Sequence, residues 1–216
     1  MNNNNRNLAI ALGIATVTAT VLFFAFRKGR KGISSVASEK LSSILNRELS
    51  AWAQGKTKEG DQRTMARLRD YWASVGVTDW DERKMADTAW SAAFISYAMA
   101  NAGFSDFPRS ASHSTYIARA IANAKGGQRG ITALRPSDAR IEVGDIVCYG
   151  RNGQGGWDAK PPYPAHCDIC MDVQGSEAIT IGGNVSDSVS VTKVPLENGK
   201  ISSKARNPYF AVLRMG

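Results

Sequence analysis

The sequence is poor in cysteine and histidine, and each shortage narrows the chemistry open to the chain. Three cysteines in 216 residues are an odd number, which cannot form a complete disulfide framework in a protein of this size. We therefore expect Cys148, Cys167 and Cys170 to be reduced or simply buried. Because the chain has only two histidines, a nucleophilic reaction that needs an imidazole base must use His113 or His166.

The cysteine spacing does not favour a metal site. Cys167 and Cys170 lie in the run HCDICMDV, which is typical of a β-strand. Alternate side chains of a strand point to opposite faces, so a tetrahedral zinc site could not use both thiols without a turn. We therefore favour buried thiols over metal ligands, and the chemistry proposed below requires no metal and no organic cofactor.

Positive charge is concentrated near the N-terminus. Residues 1–69 contain 12 Lys and Arg against 4 Asp and Glu, whereas residues 70–216 contain 15 of each. This distribution favours an anionic partner, most simply lipid head groups near Arg27 and Lys31, over a domain that reads nucleic acid. A weaker hypothesis is a tether, in which residues 27–69 bind lipid or packaged nucleic acid and the domain is passive.

One apolar run is long enough to suggest a membrane span. Residues 8–26, LAIALGIATVTATVLFFAF, are 19 uncharged residues followed at once by basic ones, whereas signal peptides carry their charge before the apolar run. We predict a single-pass protein whose C-terminal domain lies on the cytoplasmic or virion-interior side. A cleaved signal peptide and a buried helix are the alternatives. The predicted divisions are a polar N-terminus (1–7), a transmembrane helix (8–26), a basic juxtamembrane linker (27–37) and the domain (38–216).

The domain is predicted to have α+β architecture. Two amphipathic helices are indicated by SEKLSSILNRELSAWAQ, with Ser38 as a candidate N-cap, and by DQRTMARLRDYWASVG, which ends at Gly76. A third helix, AWSAAFISYAMANA, is expected to begin at Asp87 or Thr88, and a fourth covers HSTYIARAIANAK. Short β-branched runs separated by turns follow. Helices followed by an antiparallel sheet indicate this fold class.

Ser91 is the candidate nucleophile, because the first turn of a helix stabilises negative charge. His166, which begins the strand-like run, is the candidate base, and Asn184, just after two glycines, is the candidate for orienting its ring. Asp168 shares a strand face with His166 and is an alternative partner. His113 either caps a helix or lines the same cleft. Without further support, Ser91 would be read as a small packing residue.

Four short motifs carry a resemblance to a known family. In chain order they are WSAAF, VGDIV, HCDIC and GGN, and they resemble papain-like cell-wall hydrolases of the NlpC and CHAP kind. Residues from about 40 to 216 are more closely similar to a bacterial and phage family, domain of unknown function 2272. The resemblance implies a papain-like fold, with N-terminal helices packed on a small antiparallel sheet, and with Ser91 as nucleophile, His166 as base and Asn184 as orienting group.

The resemblance leaves two functions open. The papain-like nucleophile is a cysteine, whose thiolate forms beside an imidazolium, whereas the hydroxyl of Ser91 must lose its proton as it attacks. The chain is therefore expected to be either a membrane-anchored peptidoglycan amidase or endopeptidase, or an inactive domain that binds a peptide or glycan or serves as a virion component. Trp90, His113, Asp168 and Gly183 are the further residues expected beside the site.

Overall fold

The computed structural model describes residues 35–216, and these form an α+β domain, so the predicted α+β class is confirmed. Within this part of the chain, the helices come first and the sheet follows. The helices are α1 (Ser35–Ala51), α2 (Gln62–Ser74), α3 (Glu82–Asp87), α4 (Ser91–Ala102) and α5 (His113–Gly126), with a 3-10 turn at Ala53–Gly55.

The strands form a curled antiparallel sheet in the order β1-β7-β2-β3-β4-β5-β6. Strand β7 therefore lies between β1 and β2, one strand from the edge of the sheet. The strands are β1 (Ile131–Leu134), β2 (Ile146–Gly150), β3 (Ala165–Gln174), β4 (Glu177–Gly182), β5 (Ser190–Glu197), β6 (Lys200–Ile201) and β7 (Tyr209–Met215).

Sequence signals explain most of the helix boundaries. The Asp61 carboxylate accepts a hydrogen bond from the backbone N–H of Arg63 and so caps α2. Gly76 has a φ of 85°, the left-handed conformation expected after the end of this helix. Ser38, in contrast, lies inside α1 and does not cap it. The short helix α3 was not anticipated, since Met85 is its only buried residue and gives no periodicity.

Helix α4 is the centre of the domain. Its side chains are buried on almost every side, as expected for a helix that is apolar all round. It packs against α1 and α2 on one side and against β3 and β4 on the other. The first residue of α4 is Ser91, so the burial of this helix fixes the position of the candidate nucleophile between the helical layer and the sheet.

Aromatic stacking holds the start of α4 in place. Trp90, which is fully buried, stacks on Trp52 with ring centroids 4.9 Å apart and on Tyr71 at 5.6 Å. The Trp90 indole N–H also donates to the Glu59 carboxylate at 2.7 Å. Burial raises the pKa of Glu59, and the indole donor opposes that shift. The predicted role of Trp90 beside the site is therefore, in structural terms, that of a rigid support under Ser91.

The structure corrects the predicted membrane span. Within residues 35–216 no helix is both long enough and apolar enough to cross a bilayer. The segment 8–26, to which the span was assigned, lies outside the described residues, as do Arg27 and Lys31. The prediction of a single transmembrane helix and a single-pass membrane location is therefore not supported.

The structure also corrects the expected state of the cysteines. Cys148 on β2 and Cys167 on β3 form a disulfide, which is possible because the register of the two strands places them directly opposite each other. Cys170 is the remaining thiol and is buried. As expected, Cys167 and Cys170 face apart: Cys167 belongs to the main core and Cys170 to a second cluster that includes Val147.

Candidate active site

Ser91 occupies the first position of α4, where backbone N–H groups are unpaired. Trp90 is the N-cap residue and its side chain makes no capping hydrogen bond. The predicted caps lie elsewhere: Asp87 ends α3, and Thr88 is the C-cap residue of that helix. The first N–H groups of α4 therefore have no side-chain acceptor at the cap and are available to an oxygen that carries negative charge.

The hydroxyl of Ser91 is hydrogen-bonded to an imidazole. Its Oγ lies 2.6 Å from Nε2 of His113, the first residue of α5. The other ring nitrogen, Nδ1, is hydrogen-bonded to the hydroxyl of Tyr116, one turn further along the same helix. The side chains of Ser91 and His113 are both buried. A serine, a histidine and a tyrosine thus form a continuous chain inside the domain.

The His113 ring is held neutral by its surroundings. Burial is the main cause of a pKa well below the ordinary 6.5, and the nearby His166 ring and Arg151 guanidinium lower it further. A neutral imidazole has one N–H and one acceptor nitrogen. If Nδ1 donates to the Tyr116 hydroxyl, Nε2 is the acceptor and faces the hydroxyl hydrogen of Ser91. This tautomer is the one that a serine nucleophile needs.

His166 has different partners. Its Nε2 lies 2.9 Å from Oδ1 of Asp168, two residues along β3, and its Nδ1 lies 2.9 Å from a guanidinium nitrogen of Arg151. A guanidinium only donates hydrogen bonds. Nδ1 must then be the acceptor, and Nε2 carries the proton that is donated to Asp168. In this arrangement both nitrogens of His166 are occupied.

The predicted grouping of Ser91, His166 and Asn184 is therefore rearranged. The imidazole bonded to Ser91 is that of His113, and the carboxylate bonded to His166 is that of Asp168. The two rings are nevertheless neighbours, with centroids 5.5 Å apart. Asn184 lines the same cleft as His166 and has a left-handed φ of 56°. The catalytic roles of these residues stay predictions.

The two glycines before Asn184 allow the sheet to approach the site. A Cβ at Gly182 would lie 1.8 Å from Oδ1 of Asp168, and one at Gly183 would lie 2.5 Å from Cβ of Phe94 on α4. No side chain fits at either position without movement of its neighbours. Gly183, predicted to lie beside the site, thus serves close packing between β4 and α4.

A cleft of about 630 Å³ opens over His166 and Asp168. On β2, the Tyr149 ring lies 5.4 Å from that of His166, and on β7 the Tyr209 ring lies 5.3 Å from that of Tyr149. Ser91 and His113 do not line the cleft and are 3% and 6% exposed, while His166 and Asp168, which line it, are 1% and 2% exposed. His166 is the histidine that lines the cleft, and the His113 ring lies 5.5 Å from it. Within residues 35–216 no group of three or more His, Cys, Asp or Glu side chains could hold a metal ion.

Sequence reasoning underestimated His113 and missed Tyr116 and Arg151. The spacing of His113 and Tyr116, three residues apart in the predicted helix HSTYIARAIANAK, places both on one helix face and was an available signal. Arg151 follows the end of β2, where no local pattern identifies a partner in the next strand.

Comparison with known proteins identifies the family. The chain matches none of the curated proteins and none of the solved structures with which it was compared. The model of a family described as "Uncharacterized protein conserved in bacteria (DUF2272)" matches residues 52–215, which are 164 of the 216 residues. This match contains all of the residues that form the site. The chain therefore belongs to the DUF2272 family.

Proposed function

We propose that this protein is a hydrolase of papain-like architecture that cleaves an amide bond of cell-wall peptide, as an amidase or endopeptidase. Ser91 stands where the papain-like nucleophile is a cysteine. The observation that supports this proposal best is the 2.6 Å contact between Ser91 Oγ and His113 Nε2 at the start of α4. It unites a hydroxyl, a neutral imidazole and unpaired helix N–H groups, which are the parts that acyl transfer by serine requires.

The proposed reaction has two stages. Oγ of Ser91 attacks the scissile carbonyl while its proton passes to Nε2 of His113, and the N–H groups at the start of α4 stabilise the oxyanion. The tetrahedral intermediate collapses when His113 gives the proton to the departing amine, which leaves an acyl-serine. A water molecule then attacks the ester, and the same proton transfers release the acid and regenerate Ser91.

Tyr116 and the His166 group have supporting roles in this scheme. The Tyr116 hydroxyl accepts from Nδ1 of His113 and so selects the tautomer whose Nε2 can take a proton. His166, fixed by Asp168 and Arg151, lines the cleft and lies next to His113, with ring centroids 5.5 Å apart. Because Ser91 and His113 are buried, a substrate reaches them only after a side chain in the cleft floor moves.

The disulfide supports a substrate of the cell envelope. Disulfides form and persist in oxidising compartments and are rare in the cytosol. The Cys148–Cys167 bond lies in the two strands that carry Tyr149 and His166. A protein that needs this bond would find oxidising conditions where peptidoglycan is also exposed.

The test uses a probe that does not depend on the identity of the substrate. A fluorophosphonate reacts with an activated serine, whose Oγ displaces fluoride from phosphorus. We expect the full-length protein to be labelled, and Ser91→Ala and His113→Gln to lose the label. Ser96→Ala is the matched control, since Ser96 is also buried on α4 but is bonded to the backbone of Ser110. Equal labelling of the protein and Ser91→Ala would refute the proposal.

Incubation with purified peptidoglycan then tests the substrate class. We expect mass spectrometry to detect peptide fragments released by the unmodified protein and by Ser96→Ala, with release reduced by about 10³-fold or more in Ser91→Ala. Label without fragment release would retain the serine hydrolase and reject the cell-wall substrate.

A second candidate function is binding without catalysis. It is favoured by the burial of Ser91 and His113 and by the occupation of both His166 nitrogens. In that case the cleft holds a peptide or glycan and the buried pair only stabilises the fold. No labelling of Ser91, together with measurable peptide binding, would establish this alternative over the first.

A further inference from the structure

The cleft over His166 is strongly basic. Its wall contains four cationic side chains and one carboxylate, that of Asp168, which is 2% exposed and already accepts a hydrogen bond from His166. The cations come from the residue after β2, from β5 and from the segment before β7, so three separate parts of the domain direct positive charge into one space. They are Arg151, Lys193, Lys204 and Arg206.

Two of these cations have no anionic partner in the part of the chain that the structure describes. Lys193 forms an ion pair with Glu177 at 2.9 Å, and Lys204 lies 4.0 Å from Glu197. Within residues 35–216, neither Arg151 nor Arg206 forms a salt bridge. Two guanidinium groups at one cleft are therefore left to interact with water or with a ligand.

Arg151 is the more informative of the two. It is half-buried, and its side-chain hydrogen bonds to His166 and Tyr149 leave other members of its five N–H donors unused. Other half-buried arginines of the domain face carboxylates: Arg67 pairs with Glu48 at 2.8 Å, and Arg214 pairs with Asp145 at 2.7 Å. Removing a cation from water without an opposite charge is unfavourable, so the position of Arg151 favours an anion that arrives with a ligand.

We propose that the cleft binds a short peptide through a free carboxylate held by Arg151 and Arg206. A guanidinium matches a carboxylate with two parallel hydrogen bonds. The volume of about 630 Å³ suits a peptide of a few residues. Asn184, Thr192 and Asn207 in the same wall offer hydrogen bonds to peptide amides. This inference deepens the proposed function and rests on it, because it takes the cleft to be the substrate site.

Calorimetry on the full-length Ser91→Ala variant measures binding without turnover. The probes are N-acetyl-alanyl-glutamate, the neutral diamide of the same peptide, and inorganic phosphate. We expect the acid to bind at least about 10-fold more tightly than the diamide, because hydrogen bonds between a guanidinium and a carboxylate are stronger than those to a neutral amide. Equal affinity for the acid and the diamide would overturn the proposal. Tighter binding of inorganic phosphate than of the peptide acid would also overturn the proposal, because the cleft would then be a site for a phosphate group.

Charge-removing variants locate the contact. In the Ser91→Ala background, we expect Arg151→Gln and Arg206→Gln each to weaken acid binding about 10-fold or more and to leave diamide binding nearly unchanged. Arg83→Gln removes the same charge from an exposed position on α3 and is the matched control. Losses no larger than that of Arg83→Gln would refute the assignment. Because catalysis is absent from this assay, carboxylate binding can hold while fluorophosphonate labelling fails, and the reverse.

Discussion

The two histidines have opposite surroundings although their rings are 5.5 Å apart. His113 belongs to the helical layer, where it is enclosed and bonded to the hydroxyls of Ser91 and Tyr116. His166 belongs to the sheet and lies between a guanidinium and a carboxylate. Nε2 of His113 faces the Ser91 hydroxyl, whereas both ring nitrogens of His166 are held by Arg151 and Asp168. The helical pair is thus suited to chemistry, and the sheet pair to fixing the cleft.

The largest expected effect comes from removing the imidazoles in turn. We expect His113→Gln to lower kcat about 10³-fold, since the proton acceptor of Ser91 is lost. His166→Gln should lower kcat about 10-fold and raise KM, because it disturbs the floor of the cleft. Steady-state kinetics on released peptide would compare them. A larger loss of kcat in His166→Gln would reverse the comparison and restore His166 as the base.

The disulfide should stabilise the sheet, the region to which His166 belongs. It closes a loop with a sequence separation of 19 residues, which contains Arg151. A loop of this length is worth about 3 kcal/mol in the unfolding free energy. We therefore expect that loss in the double variant Cys148→Ala/Cys167→Ala in urea unfolding, and a smaller loss in Cys170→Ala. Titration of three thiols in the unreduced, unfolded protein would show instead that the cysteines are reduced.

The junction between the two regions is the glycine pair at the end of β4. An added Cβ at Gly182 would overlap the Asp168 carboxylate. We expect Gly182→Ala to lower the free energy of unfolding by about 2 kcal/mol, as overpacking in a tight interior does. Gly60→Ala is the control, because nothing lies within 4 Å of a Cβ there. Equal stability of the two variants would mean that β4 and β3 move apart easily.

Local patterns were sufficient for most of the fold. The apolar spacing in α1 and α2 and the alternation in β3 depend on neighbours in the chain, and these elements were predicted. The alternation also placed Asp168 on the face of His166, which made it the alternative partner. Helix α3 was not predicted, because Met85 is its only buried residue and one residue gives no helical periodicity.

The pairings depended on information that is not local. The Cys148–Cys167 bond follows from the register of β2 and β3, which no spacing of cysteines reveals. Which histidine is bonded to Ser91 depends on how α5 docks against α4, and the sequence does not contain this information. The two imidazole rings are neighbours in the fold. The contact between Arg151 and His166 could not be predicted, because it depends on the fold placing the end of β2 beside His166.

The smallest expected effect is a pH dependence of the unfolding free energy that arises from His113 in the helical layer. Burial lowers the pKa of His113 well below 6.5, so the folded protein keeps it neutral where the unfolded chain takes up a proton. Stability should therefore decrease as the pH falls below 6.5, and His113 should have no such effect above about pH 7. We expect this to cost about 1 kcal/mol between pH 7 and pH 5.5. Urea unfolding of His113→Gln should lack that part of the decrease, since glutamine does not titrate. Parallel stability curves for the two proteins would show that His113 takes up protons as easily when folded as when unfolded, which a site enclosed between Ser91 and Tyr116 should not allow.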